Sequence, residues 1–277
     1  MDELKRYFYE NLYVLKDEKL TNYDSIEKIK KEEDLKGVCD DCDKTVPCKL
    51  MSGYSSSDDL MKLWENVLTT DELNDFKERR NDNPRVMFIL ENPGQDWWGK
   101  LSKEDKIQKT VSYDSLNYWF SKESDFKNKK IHNFPNKKES LYAFAFTHLI
   151  YKYGFGNIHI TNSVKCKPKD AVNMNNYPAN NLHCMLKFLK TEIQYFKPDI
   201  ILCFGGNAFN NLNLLITKDN EIQEFLNHVQ IKKLHHPSFR GKALMSYKEQ
   251  HNVANLYDAL KRNWHLNIEA VLKDNIC

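Results

Sequence analysis

The chain has 277 residues and a formal net charge of +2, from 41 Lys and Arg against 39 Asp and Glu, a total that argues against a uniformly basic nucleic-acid binder. The total hides a division: residues 1–120 carry 19 basic and 26 acidic side chains (net −7) and residues 121–277 carry 22 and 13 (net +9), so the second portion has the charge of a surface that faces a polyanion. At 41% hydrophobic and 29% charged, without a long uninterrupted apolar stretch and without an apolar signal region after Met1-Asp2-Glu3-Leu4-Lys5, the composition speaks against disorder and a membrane helix and predicts a cytoplasmic globular protein.

In chain order, residues 1–36 alternate charged with apolar positions (Leu4, Tyr7, Phe8, Leu12, Leu15), a spacing that predicts an amphipathic helical element. A loop bearing Cys39, Cys42 and Cys48 follows, and then Ser55, Ser56, Ser57, Asp58 and Asp59 supply N-cap chemistry for a helix over about 59–68. Residues 1–80 are therefore expected to be a helical and cysteine-loop extension of one domain spanning 1–277. From residue 85 short apolar runs alternate with helical patterns. The runs 85–90, 157–161, 199–204 and 229–234 read as strands, and the helices are expected over 139–152, 180–196, 206–216 and 247–263. Strands alternating with helices predict an α/β fold of three layers, α/β/α, around a central four-stranded parallel sheet with right-handed crossovers. Residues 97–138 are polar, lysine-rich and interleaved with Trp97, Trp98, Tyr113, Tyr118, Trp119 and Phe120, which predicts a long functional loop.

Ligands of open parallel sheets bind beyond the carboxyl ends of the strands. Here the first strand runs into Glu91-Asn92-Pro93-Gly94-Gln95-Asp96, the second into Asn162, the third into Gly205-Gly206 and the fourth into His235-His236-Pro237-Ser238. One such residue is commonly a loop cap; four polar or Gly-bearing ends on one rim make a candidate site. Pro93-Gly94 gives a tight turn whose backbone can approach a ligand. The amide of Asn162 offers a donor and an acceptor along one edge, which suits the edge of a nucleobase. His236 can donate to an oxygen that gains negative charge, whereas His235 reads as a surface or capping histidine.

Of the seven cysteines, Cys39 and Cys42 form a C-x-x-C pair, Cys166 follows the second strand, and Cys184 lies 17 intervening residues further on. In a reducing compartment these four can complete a thiolate site for an iron–sulfur cluster or for zinc. Cys48 is an ambiguous extra near that loop, and Cys203, inside an apolar strand, reads as core.

Taken together these segments resemble the uracil-DNA glycosylase superfamily, most closely its iron–sulfur branch, family 4. That branch carries G-E-A-P-G, T-N-x-x-K-C-x-P, a further cysteine, K-P-x-x-I-x-x-x-G and H-P in this order. The counterparts here are Leu90-Glu91-Asn92-Pro93-Gly94, Thr161-Asn162-Ser163-Val164-Lys165-Cys166-Lys167-Pro168, Cys184, Lys197-Pro198 through Gly205, and His236-Pro237, over roughly residues 37–245. The resemblance implies a monofunctional DNA glycosylase that hydrolyses the N-glycosidic bond of a flipped uracil or modified pyrimidine and leaves an abasic site. It implies that Cys39, Cys42, Cys166 and Cys184 hold a [4Fe–4S] cluster, with zinc as the alternative. Asn162 would read the base, His236 would stabilise the departing anion, and Glu91 or Asn92 would orient the attacking water. Gly94, Asp96 and Trp97 would line the pocket, and Phe239 and Arg240 would wedge into the stack. DNA, as flipped duplex or single strand, is the expected partner of a monomer, with lysines such as Lys165, Lys167, Lys232, Lys233 and Lys242 along the phosphates.

Three departures bear on substrate. Asn92 replaces the family 4 Ala and is similar to the G-I-N-P-G segment of the mismatch-specific thymine and uracil glycosylases, and the usual base-stacking aromatic segment is not evident, its place being open to Trp97, Trp98 or an aromatic of the loop 113–120. The long, basic loop over 97–138, unlike the family's, leaves room for a larger base, such as a hypermodified cytosine in phage DNA, which would make the protein an antiviral defence factor and not a repair enzyme. The competing expectation is a catalytically silent nucleic-acid-binding or redox-sensing iron–sulfur module on the same fold.

Overall fold

In the computed structural model the residues described are 14–15, 35–36, 65, 68–81, 84–91, 141–155, 157–164, 178–237 and 242–274. Val14–Leu15 (β1) pairs antiparallel with Leu35–Lys36 (β2), so these four residues are strand where the sequence spacing predicted helix; cross-strand pairing here overrides a local helical pattern. The first described helix, Thr70–Asn81 (α1), begins after the predicted 59–68 segment, of which the described residues 65 and 68 lie in turns. Its start is set by a capping box: Thr69 Oγ1 accepts from the Glu72 amide at 3.3 Å while Glu72 Oε2 accepts from the Thr69 amide at 2.7 Å.

The four predicted core strands form one all-parallel sheet. They are Arg85–Leu90 (β3), Asn157–Asn162 (β4), Ile200–Phe204 (β5) and Gln230–Leu234 (β6), in the order β4-β3-β5-β6. The central strands β3 and β5 are apolar, as suits strands buried on both faces, and every residue of β5 is buried, whereas the edge strand β6 carries Lys232 and Lys233 and buries only Leu234. Leu141–Tyr153 (α2) connects β3 to β4 on the chain, and Gly206–Lys218 (α5) with Asn220–Phe225 (α6) connects β5 to β6. Between β4 and β5 the expected single helix is three pieces: Pro178–Cys184 (α3), a π-helical turn Met185–Leu189, and Lys190–Phe196 (α4). The last expected helix is two, Lys242–Gln250 (α7) and Leu256–Asp274 (α8). The break sits at Asn252, whose φ of 47° is left-handed, and Asn255 then caps α8 by accepting from the Asp258 amide at 2.9 Å.

Two apolar cores sandwich the sheet and give the three-layer α/β/α arrangement. On one face Val86, Phe88, Ile158, Ile160, Leu202 and Phe204 pack with Phe76 of α1, Phe146, Leu149 and Ile150 of α2, and Leu260, Trp264 and Ile268 of α8. On the other, Met87, Ile89, Ile201 and Cys203 pack with Met185, Leu189, Ile193, Ala208, Leu212, Leu215 and Ile222. Phe88, Phe146, Phe204 and Trp264 form a chain of ring contacts with centroids 4.8–6.1 Å apart. Cys203 is core, as expected, and burial raises its thiol pKa. No helix among the described residues is long and apolar enough to cross a membrane.

Candidate functional site at the carboxyl edge of the sheet

Strand register brings the predicted strand ends to one edge. Leu90 is paired with Asn162 across β3 and β4, Ile89 with Cys203 across β3 and β5, and Phe204 with Leu234 across β5 and β6, so Asn162, Glu91, Gly205 and His236 follow one another along that edge. Glu91, Asn162 and His236 are all half-buried.

Glu91 is fixed from two sides. Its carbonyl accepts from the Val164 amide at 3.1 Å and from Ser163 Oγ at 2.7 Å, which ties the ends of β3 and β4 together. Its carboxylate Oε1 accepts from Asn207 Nδ2, in the first turn of α5, at 2.7 Å. Beneath it runs a buried polar chain: Asn211 Nδ2 donates to Ser163 Oγ at 2.9 Å, and Asn181 Nδ2 of α3 reaches Asn211 Oδ1 at 3.5 Å. The Asn211 amide gives the buried Ser163 hydroxyl oxygen a donor, and a polar atom buried there without one would cost about 1–3 kcal/mol.

His236 stands against Gly205. Gly205 has φ 103°, a conformation L side chains rarely adopt, and its amide donates to the Leu234 carbonyl at 2.8 Å. A Cβ there would lie 3.1 Å from His236 Cβ and 3.2 Å from Cδ2, so the glycine backbone is the surface on which the His236 ring rests. One residue earlier, the peptide groups of His235 are held by α8: its amide donates to Asn263 Oδ1 at 3.0 Å and its carbonyl accepts from Trp264 Nε1 at 2.7 Å. The His235 ring meets Tyr247 of α7 edge-on at 5.5 Å, and burial first, then nearby Lys233, lowers its pKa. His235 is thus a packed anchor for the segment that carries His236. Lys233, exposed on β6, reaches over the Phe209 ring at 5.9 Å and lies beside Gly206 at the start of α5.

Of the predicted site residues, Glu91, Asn162, His236 and Cys184 are described, and the first three share the edge. Asn92, Gly94, Asp96, Trp97, Phe239, Arg240, Cys39, Cys42 and Cys166 lie outside the described residues. Cys184 is buried at the end of α3 and is not in a disulfide. Among the described residues no group of three or more His, Cys, Asp or Glu side chains is arranged to hold a metal. Asn207, Asn263 and Trp264 are members of the site that sequence reasoning passed over. Their signal is faint: with 29 asparagines in the chain, one more beside a glycine pair carries no weight.

Comparison with known proteins gives one finding. A family model described as the uracil DNA glycosylase superfamily matches residues 78–261, which contain all four parallel strands and the whole of the edge just described. No curated protein matches the chain.

Proposed function

The chain belongs to the uracil DNA glycosylase superfamily, and from that membership and the composition of the strand-end edge we propose that it is a monofunctional DNA glycosylase acting on uracil or a modified pyrimidine. The observation that carries the proposal is the convergence of a held carboxylate (Glu91), a base-sized amide (Asn162) and a backed imidazole (His236) on one edge of one parallel sheet.

The reaction needs little more than this set. The bond between C1′ and the base nitrogen breaks with its electron pair going to the base, the sugar gains oxocarbenium character, and water adds to C1′ and loses a proton. Glu91, with Asn92 beside it, orients that water and takes its proton. His236 donates a hydrogen bond to the base oxygen as negative charge builds there, which lowers the barrier only in the transition state. Asn162 pairs with the base edge. Gly94, Asp96 and Trp97 complete the pocket, and Phe239 and Arg240 fill the stack after the base has flipped out.

A four-thiolate donor set, Cys39, Cys42, Cys166 and Cys184, suits a [4Fe–4S] cluster, with zinc as the other occupant of the same ligands. The burial of the Cys184 thiol outside any disulfide fits a ligand position. When bound, such a group supplies a clamp on loops and no chemical step. Iron and zinc analysis of protein purified without oxygen decides between them: about four irons per chain is the expected result, and stoichiometric zinc overturns the cluster.

The functional test is a panel of oligonucleotides carrying uracil, thymine mismatches or modified cytosines, single- and double-stranded, probed for abasic sites. Abasic product from at least one member, lost in His236→Ala with DNA binding retained, is the expected result. DNA binding without product from any member would instead make the protein a silent binding module.

A further inference from the structure

Helix α5 presents two asparagines one turn apart, on one face, to the end of β3. Asn211 holds Ser163, which holds the Glu91 carbonyl, while Asn207 holds the Glu91 carboxylate itself. The two contacts do different work. The Asn211 side chain is buried and acts on the Glu91 carbonyl through Ser163, whereas Asn207 is half-buried at the rim and donates to the Glu91 carboxylate.

We propose that Asn207 is a positioning residue that locks Glu91 Oε1 through its amide so that Oε2 presents a fixed lone pair to the attacking water. This rests on the proposed glycosylase reading. The geometry supports it at three points. The Nδ2 to Oε1 distance of 2.7 Å is short for an amide donor, as hydrogen bonds to a charged acceptor are. The first turn of α5 contains no acidic side chain and Gly205 offers no side-chain cap, so the Glu91 carboxylate meets the positive end of that helix without a competitor from the helix itself. Finally, the Glu91 main chain is pinned by Ser163 and Val164, which leaves side-chain torsions as the freedom that Asn207 removes.

The test pairs kinetics with a spectroscopic readout that does not depend on activity. In Asn207→Ala the turnover on the panel's best substrate should fall by about 10²-fold with KM within about twofold of wild type, the pattern of an interaction used only in the transition state. Asn207→Asp, which keeps the shape but replaces the donor with a second carboxylate, should fall at least as far. In a Glu91→Gln background Asn207→Ala should add little, because the two residues act as one unit. Glutamate labelled with carbon-13 at the carboxyl, with the Glu91 resonance identified by its loss in Glu91→Gln, should show that resonance shifted in Asn207→Ala at constant pH. An unmoved resonance, or independent and additive losses in the two positions, overturns the proposal. If wild type yields no product on any substrate while the resonance does move, the glycosylase reading fails and the positioning of Glu91 stands.

Discussion

Among the described residues of the edge, Gly205 carries a backbone constraint that bears directly on the imidazole. Its φ of 103° and the 3.1 Å separation between a hypothetical Cβ and His236 Cβ mean that any side chain there is strained and pushes on the imidazole. Gly205→Ala should cost about 1–3 kcal/mol in urea unfolding and lower turnover by about 10²-fold by displacing His236, whereas Gly206→Ala, where the nearest atoms are at 3.8 Å on the flexible end of Lys233, should leave turnover near wild type. Equal effects at the two glycines would contradict the account. Residues such as His236-Pro237 and Glu91 were legible in the sequence because their positions follow apolar runs. Asn207 and Asn263 were not, since each acts through a tertiary contact with a residue more than 25 positions away, and nothing local marks an asparagine as the donor or acceptor for such a partner.

At the scale of elements, α8 does more than cover the sheet. Trp264 is fully buried and at the same time donates to the His235 carbonyl, so one side chain joins the core to the segment that carries His236. Trp264→Phe, keeping most of the ring packing but not the N–H, should cost about 1 kcal/mol in stability and reduce turnover more than DNA affinity; Trp264→Ala should cost about 3–5 kcal/mol. Calorimetry and binding titrations separate the two effects, and an unchanged turnover in Trp264→Phe would show that the clamp is dispensable. Helix α8 also carries His265, which packs against α2: Tyr153 Oη lies 2.6 Å and Lys152 Nζ 3.2 Å from its Nδ1, and the His148 ring stands 5.5 Å away. Burial, then Lys152, His148 and Lys261, push its pKa down from 6.5 to about 3. The folded state therefore stays neutral at His265 where the unfolded chain binds a proton, so stability is full above pH 6.5 and falls as pH drops through the window between 6.5 and about 3. His265→Gln should flatten that fall by up to about 1.4 kcal/mol per pH unit, measured by urea unfolding between pH 7.5 and 4.5; an unchanged slope would contradict the assignment. The strands themselves were readable from their apolar runs. The π-helical turn, the break at Asn252 and the capping box at Thr69 were not read: the first two depend on packing and on one left-handed residue, and the Thr69-x-x-Glu72 signal was masked by the stronger-looking Ser and Asp run before it.

At the scale of the whole molecule, the net charge of +2 averages an acidic first portion with a basic second one, and the basic portion contains three of the four strand ends on the candidate edge. Affinity for DNA should fall steeply with added salt, and Lys233→Glu, at the exposed rim beside α5, should weaken binding and reduce the slope of log affinity against log salt by about one unit, while reversals among residues 1–36 should not. The measurement that bears most directly on the central claim is detection of the released free base, by mass spectrometry, from DNA carrying uracil or a modified pyrimidine. The account predicts free base together with an intact strand holding an abasic site, and loss of both in His236→Ala. Strand cleavage without free base, or release that persists undiminished in His236→Ala and Glu91→Gln, would contradict it.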